Sequence, residues 1–180
     1  NTICPYFHMP VQSGDDRTLR RMNRNYKTAE YIEIVNKIKK AIPNCAISTD
    51  IIVGFCGETD EEYENTYNMY KEMEWDMCFL SRYSPRKGTY SEKKLKDDIP
   101  HELKAKRWHH MNKLLLECAE KSHKKYIGQT LKVLVTHING NKRIGRSRAF
   151  KEVQFESDKD LTGQIIDVKI TKAGIFHLEG

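Results

Sequence analysis

The chain has 180 residues, with 31 lysines and arginines against 25 acidic residues, a formal charge of +6, and 38% hydrophobic residues. No apolar run approaches the ~20 residues that a membrane helix needs, and residues 1–7 lack the charged, apolar and small-residue regions of a secretory signal. What remains is a soluble chain, long enough for one full domain or two small ones, whose excess of cations suits a polyanionic partner.

Position 1 is Asn, which predicts that the sequence begins inside a longer chain. The five cysteines, Cys4, Cys45, Cys56, Cys78 and Cys118, are far apart and form neither a CxxC nor a CxxxCxxC spacing. They read as free thiols of a reducing compartment, with no zinc knuckle and no complete cluster-binding loop. His109 and His110 are adjacent, so on one helix they point in different directions and make a poor metal pair.

Taken in chain order, residues 7–12 read as a short strand ending at Ser13-Gly14, and Asp15 and Asp16 are N-cap candidates for a helical stretch holding Leu19 and Met22. Thr28 opens a clearer helix, with Tyr31, Ile34, Val35, Ile38 and Ile42 at helical spacing and Pro43-Asn44 as its stop. Residues 46–55 are apolar and β-branched, the pattern of a strand covered on both faces in a parallel sheet. Thr59 and Glu62 stand as a capping box for a helix carrying Tyr63, Tyr67, Tyr70 and Met73. Residues 75–83 form the next strand, and this alternation predicts right-handed βαβ units.

Residues 85–100 read as a loop, and residues 101–126 as a long helix with Leu103, Met111, Leu114, Leu115 and Cys118 inward. Lys104, Lys106, Arg107, Lys113, Lys121, Lys124 and Lys125 are expected on its outer face. After Ile127-Gly128 the pattern changes to short alternating segments, residues 131–138, 144–148, 152–155, 165–170 and 175–178, separated by turn signals such as Asn139-Gly140-Asn141. These predict a small five-stranded barrel of the OB type. The expected division is thus an α/β part over residues 1–126 and a β-domain over 127–180.

Polar groups suited to a ligand gather at the predicted C-terminal ends of strands, where loops of an α/β barrel converge on one mouth. Gln12 can donate and accept hydrogen bonds. Asp50 offers a carboxylate to a hydroxyl pair or a cation, Gly54 and Gly57 allow close backbone approach, and Arg86 can grip a carboxylate or phosphate with two parallel bonds. Each also has a plainer reading as a turn cap, a buried ion pair or a tight turn.

Pro10-Val11-Gln12-Ser13-Gly14 followed by Leu19-Arg20-Arg21-Met22-Asn23-Arg24 resembles the fourth-strand region of the radical-SAM methylthiotransferases. Ile47-Ser48-Thr49-Asp50-Ile51-Ile52-Val53-Gly54-Phe55 with Gly57-Glu58-Thr59 is similar to their fifth strand, and Tyr83-Ser84-Pro85-Arg86 with Gly88-Thr89 to the end of their sixth. The C-terminal segment, with Gly145-Arg146-Ser147-Arg148, resembles their TRAM domain. Nearly the whole chain is covered, in collinear order.

The resemblance implies the C-terminal half of a (βα)6 partial barrel followed by TRAM. It implies S-adenosylmethionine and two [4Fe–4S] clusters in the full-length enzyme, with cluster ligands outside this chain, so that the chain alone should be inactive. A cluster would cleave S-adenosylmethionine to a radical that removes hydrogen from a C–H bond, and the protein would orient the cofactors. Gln12, Ser13, Ile52, Val53 and Gly54 are the implied cofactor-facing residues, and Asp50 and Arg86 the implied catalytic ones. Cys56 stands where the family usually has Pro and reads as a tolerated small residue.

Among the family's branches the motifs look most like the one that methylthiolates N6-isopentenyladenosine beside the tRNA anticodon. The alternatives are the threonylcarbamoyl-adenosine branch and a stand-alone RNA-binding module. Expected partners are tRNA and an electron donor, with no membrane and no DNA, in the cytoplasm. Lys142, Arg143, Arg146, Arg148 and Lys151, with Phe150 for base stacking, are the expected RNA contacts.

Overall fold

The computed structural model describes residues 3–180. Its elements alternate and then change character: β1 (Tyr6–His8), α1 (Asp16–Arg21), α2 (Thr28–Ala41), β2 (Ala46–Val53), α3 (Asp60–Met73), β3 (Met77–Arg82), α4 (Tyr90–Lys94) and α5 (His101–Lys124), then β4 (Thr130–Asn139), β5 (Lys142–Ser147), β6 (Glu152–Glu156), β7 (Ile165–Lys169), β8 (Lys172–Ala173) and β9 (Leu178–Glu179). Two compact units result. One holds His8–Pro43 and Ile47–Leu115; the other holds residues up to Phe7, Asn44–Ala46 and Leu116–Gly180.

The first unit is built on β2 and β3, neighbours in the sheet order β1-β2-β3. β2 runs parallel to β3, with Asp50 opposite Phe79 and Ile52 opposite Ser81. Ile47, Ile51 and Val53 of β2 are buried, and so is Trp75, against which Tyr31 of α2 and Tyr70 of α3 pack their rings. Burial pushes the Tyr31 hydroxyl up to about 12, and that hydroxyl donates to the Met9 carbonyl at 2.6 Å. The helix starts follow their caps. Asp15 accepts from the Arg17 and Thr18 amides and opens α1, and Thr59 and Glu62 exchange the two bonds of the capping box that opens α3. Glu74, in the left-handed region at φ 47°, closes α3.

The span read as a loop over residues 85–100 contains the short helix α4. Its Thr89 hydroxyl accepts from the Glu92 amide at 3.3 Å, a second Thr-x-x-Glu start overshadowed by the Pro, Gly and Ser around it. The expected outer face of α5 is also corrected. Lys104 and Arg107 are buried, each paired with a carboxylate. Arg107 lies four residues from Leu103 and from buried Met111, which places it on the helix's inward stripe.

The second unit has the sheet order β7-β4-β5-β6-β9-β8. All pairings are antiparallel except β6 with β9. Val133, Val135, Val153, Phe155, Val168, Ile170 and Leu178 form its core, packed by Tyr126, Leu131, Leu161, Ile166 and Ala173. Gly145 has no room for a side chain, because a Cβ there would stand 2.4 Å from the Leu134 carbonyl oxygen across the ladder. Two of the strands, β8 and β9, are only two residues long, too short for an alternation pattern to reveal.

Candidate active-site cavity

A cavity of about 840 Å³ opens at the C-terminal ends of β2 and β3 in the first unit. Its floor is formed by Gln12, Asp50, Ile51, Ile52, Phe79 and Ser81. Arg21, Asn23 and Arg24 reach it from the end of α1, and Arg82, Tyr83, Ser84, Arg86 and Tyr90 from the segment after β3. Four guanidiniums therefore face a single carboxylate, Asp50.

Gln12 is stitched to the edge of β2. It forms an isolated parallel bridge with Ile51, its amide donates to the Asp50 carbonyl at 2.8 Å, and its carbonyl accepts from Ile52 at 2.9 Å. It does so at φ 69°, a left-handed conformation that costs a non-glycine residue about 1 kcal/mol or more. Such strain persists only where surrounding structure fixes it, and here it holds a buried amide side chain at a cavity wall. Asp50 and Ile52 share the lining face of β2 because they are two residues apart. Asp50 Oδ1 lies 3.4 Å from His8 Nε2, and the His8 ring is tethered at Nδ1, 2.8 Å from the Ser48 hydroxyl.

Three of the expected cofactor-facing residues are directed elsewhere. Ser13 is fully buried, with its hydroxyl 3.2 Å from that of Thr66 on α3. Val53 belongs to the core, since strand alternation sends it to the face opposite Ile52. Gly54, at φ 71°, is covered by the Lys104 side chain, whose Cγ would lie 2.4 Å from an added Cβ. Arg86 does line the cavity, and it is exposed.

The turn after β2 is clamped from beneath by residues that the sequence reading assigned no such role. The Gly54 amide donates to Glu58 Oε2 at 2.7 Å. Arg107 donates to the same oxygen at 2.7 Å, to the Glu58 carbonyl at 3.0 Å and to Asp60 at 2.7 Å. Arg21 donates to the Cys56 carbonyl at 3.0 Å and grips Glu62 with both terminal nitrogens. Burial pushes the Glu58 carboxyl up against the opposing pull of the Gly54 amide and Arg107. Burial also acts to raise Glu62 and Asp15, but Arg21 and the Thr59 amide hold Glu62 below the usual carboxylate range, and Asn65, the Thr18 and Arg17 amides and the Arg17 guanidinium do the same for Asp15.

The cysteines do not converge. Cys56 is buried, Cys4 is exposed and the others are intermediate, and among the described residues no three His, Cys, Asp or Glu side chains are grouped to hold a metal ion. His110 instead lies 2.8 Å from the Tyr63 hydroxyl and stacks on Tyr67. In the second unit, Arg146, Arg148 and Phe150 are exposed, and Lys142 is partly so. Arg143 and Lys151, also expected at an RNA surface, are buried. Arg143 donates to the carbonyls of Lys159 and Gly140, and Lys151 to the Ser122 hydroxyl. Phe150 stacks on Tyr6 at 4.7 Å, with the Arg146 guanidinium 5.1 Å from its ring. Among the described residues no helix is long and apolar enough to cross a membrane.

The family profile described as the Radical SAM superfamily matches residues 1–70. The chain is 45% identical over 181 aligned positions to a tRNA-2-methylthio-N(6)-dimethylallyladenosine synthase of Clostridium botulinum, covering 99% of this chain and 40% of that protein. Proteins of the same name from Bacillus cytotoxicus and Geobacillus thermodenitrificans are 45% and 44% identical, with 99% of this chain matched to 35% and 34% of theirs. By sequence, nearly the whole chain is similar to the C-terminal part of radical-SAM tRNA methylthiotransferases. It spans about two fifths or less of the length of these curated relatives. The clamped turn, Gly54 to Glu58, falls inside the stretch that the superfamily profile matches, as do Gln12, Asp50 and Ile52.

Proposed function

We propose that this chain is the C-terminal part of an enzyme that methylthiolates C2 of an N6-dimethylallyl (isopentenyl) adenosine in tRNA. The observation that carries the reading is the collinear identity over 99% of the chain to synthases named for that product, together with a cavity that sets polar groups of β2 beneath a rim of arginines. The names of the relatives favour this substrate over threonylcarbamoyl-adenosine. On this reading the first unit is the last portion of a (βα)6 partial barrel, and the second is a TRAM domain of OB-like form. The enzyme works in the cytoplasm with an electron donor.

S-adenosylmethionine, bound with two [4Fe–4S] clusters, would supply the radical, sulfur and methyl chemistry. The separated cysteines of this chain do not fit a cluster, so the ligands are assigned to other parts of the protein. The donor set at the cavity does fit the polar adenosyl portion. Gln12 would bond its ribose or amino-acid end, and Ile52 would pack on a ring. Ser13, Val53 and Gly54 would act from behind, by fixing the loop and the strand end. Asp50 and Arg86 would contact cofactor or substrate directly. Lys142, Arg146, Arg148 and Phe150 are the TRAM residues proposed to meet RNA, and Arg143 and Lys151 would hold their strands.

The test uses the full-length protein that carries this segment, reconstituted anaerobically and given unmodified tRNA, with nucleosides analysed by mass spectrometry. The wild type should form the 2-methylthio nucleoside. Asp50→Ala should lose most product while cluster absorbance and melting temperature stay unchanged. A wild type that forms no such nucleoside overturns the function; a folded Asp50→Ala enzyme of normal turnover overturns the role of Asp50.

A further inference from the structure

Three features of the cavity are unexplained by scaffolding. Phe79 lines it with 54% of its surface exposed and stands directly across the β2–β3 ladder from Asp50. A large apolar ring left half open beside a carboxylate adds little to the buried core of this unit. His8 braces both: its Nε2 lies 3.4 Å from Asp50 Oδ1, and its ring meets that of Phe79 edge-on at 5.7 Å. This leaves Asp50 Oδ2 without a partner among the described residues. Finally, Arg24, Arg82 and Arg86 at the rim are exposed, and among the described residues their guanidiniums make no ion pair, unlike those of Arg21 and Arg107.

We infer that Asp50 and Phe79 form the seat of a nucleobase of the RNA, with the flanking phosphodiesters held by Arg24, Arg82 and Arg86. The chemistry matches part by part. A base offers a π-face to Phe79 and an exocyclic N–H to Asp50 Oδ2, and aromatic stacking on a base is strong enough to order it. Guanidiniums bond phosphate oxygens in pairs. S-adenosylmethionine would present a base here too, but it has no phosphate: its single carboxylate would engage one of the three unpaired arginines, and its sulfonium cation is repelled by the others. The RNA nucleotide is therefore the better occupant. His8 is a positioning residue that holds the carboxylate and the ring in one arrangement. The inference rests on the proposed function and names the residues that would select the base.

The experiment uses the full-length protein and three anticodon stem–loop RNAs that differ at one loop position: adenosine, N6,N6-dimethyladenosine, which lacks the N–H, and an abasic site. S-adenosylmethionine binding is measured alongside. Wild type should bind the adenosine RNA about tenfold more tightly than the abasic one, within the range expected for one stacked base. Phe79→Ala should erase that preference, Phe79→Tyr should keep it, and neither should change affinity for S-adenosylmethionine. Asp50→Ala, which removes the acceptor, should erase the preference for adenosine over the dimethyl base. Melting temperatures check the fold of each variant.

If Phe79→Ala instead weakens S-adenosylmethionine and spares the base preference, the seat belongs to the cofactor and the inference fails while the proposed function stands. If Phe79→Ala alters neither, the ring is not a ligand contact and the inference fails. If the wild type binds none of the RNAs, the proposed function fails first.

Discussion

The arginines beneath the cavity and the arginines at its rim are the same residue in opposite circumstances. Arg107, with its side chain 4% exposed, meets a Glu58 side chain 1% exposed. Arg21 grips the buried Glu62 and the backbone of the turn. Arg24, Arg82 and Arg86 are exposed at the mouth and engage no carboxylate among the described residues. The lower set shapes the turn after β2 and commits its terminal guanidinium nitrogens to carboxylates and backbone. The upper set contributes little to the fold and keeps its hydrogen-bonding capacity available. A positive charge count over the chain cannot separate the two, whereas burial and pairing can.

The second unit repeats the division. Arg143 is buried and bonded to backbone carbonyls, while Arg146 lies on the surface beside Phe150, sharing its charge with Glu152 at 3.3 Å.

Removing the lower set should be the most damaging change. Arg107→Ala leaves the Glu58 carboxylate buried and unpaired, a loss of about 3–5 kcal/mol, whereas Arg24→Ala should stay within about 0.5 kcal/mol of wild type, as surface changes usually do. Urea unfolding of both variants checks this, and equal losses would erase the distinction.

A smaller effect appears with acid. Asp15 and Glu62 have their folded values lowered, so they add stability above the unfolded carboxylate range near pH 4, and this is lost as pH falls through the lowered values. Glu58 is shifted upward, so it has the opposite sign: protonation of the folded form relieves it as pH falls toward that range. Melting temperature should therefore hold or rise slightly from pH 7 toward 5 and drop below about 4. Glu62→Gln should flatten the acid limb; an unchanged limb would place the acid sensitivity elsewhere.

Much of this was legible in sequence where a period or a cap governs the outcome. The spacing of Tyr31 and Val35 gave α2, Thr59 with Glu62 gave the start of α3, and the apolar run over residues 46–55 gave a buried parallel strand, which ends at Val53. Gln12, Asp50 and Arg86 were also reachable, because polar residues at strand ends gather at one mouth. Sidedness was harder to read. A motif quoted as a string treats Ile52 and Val53 alike, while the pleat sends them to opposite faces. Lys104 and Arg107 were read by charge rather than by position, although Arg107 follows Leu103 and precedes Met111 by one helical repeat. Phe79 and His8 had no signal, since their value arises from a ladder register and a contact between strands far apart in sequence.

The most direct measurement of the division between committed and uncommitted cations is the salt dependence of tRNA binding by the full-length protein. Phosphate contacts release counterions, so each one contributes about one unit of slope in a plot of log affinity against log salt. Combining Arg24→Gln, Arg82→Gln and Arg86→Gln should lower that slope by about three units without shifting the melting temperature. An unchanged slope in the folded triple variant would contradict the account, because the arginines at the mouth would then not be holding RNA.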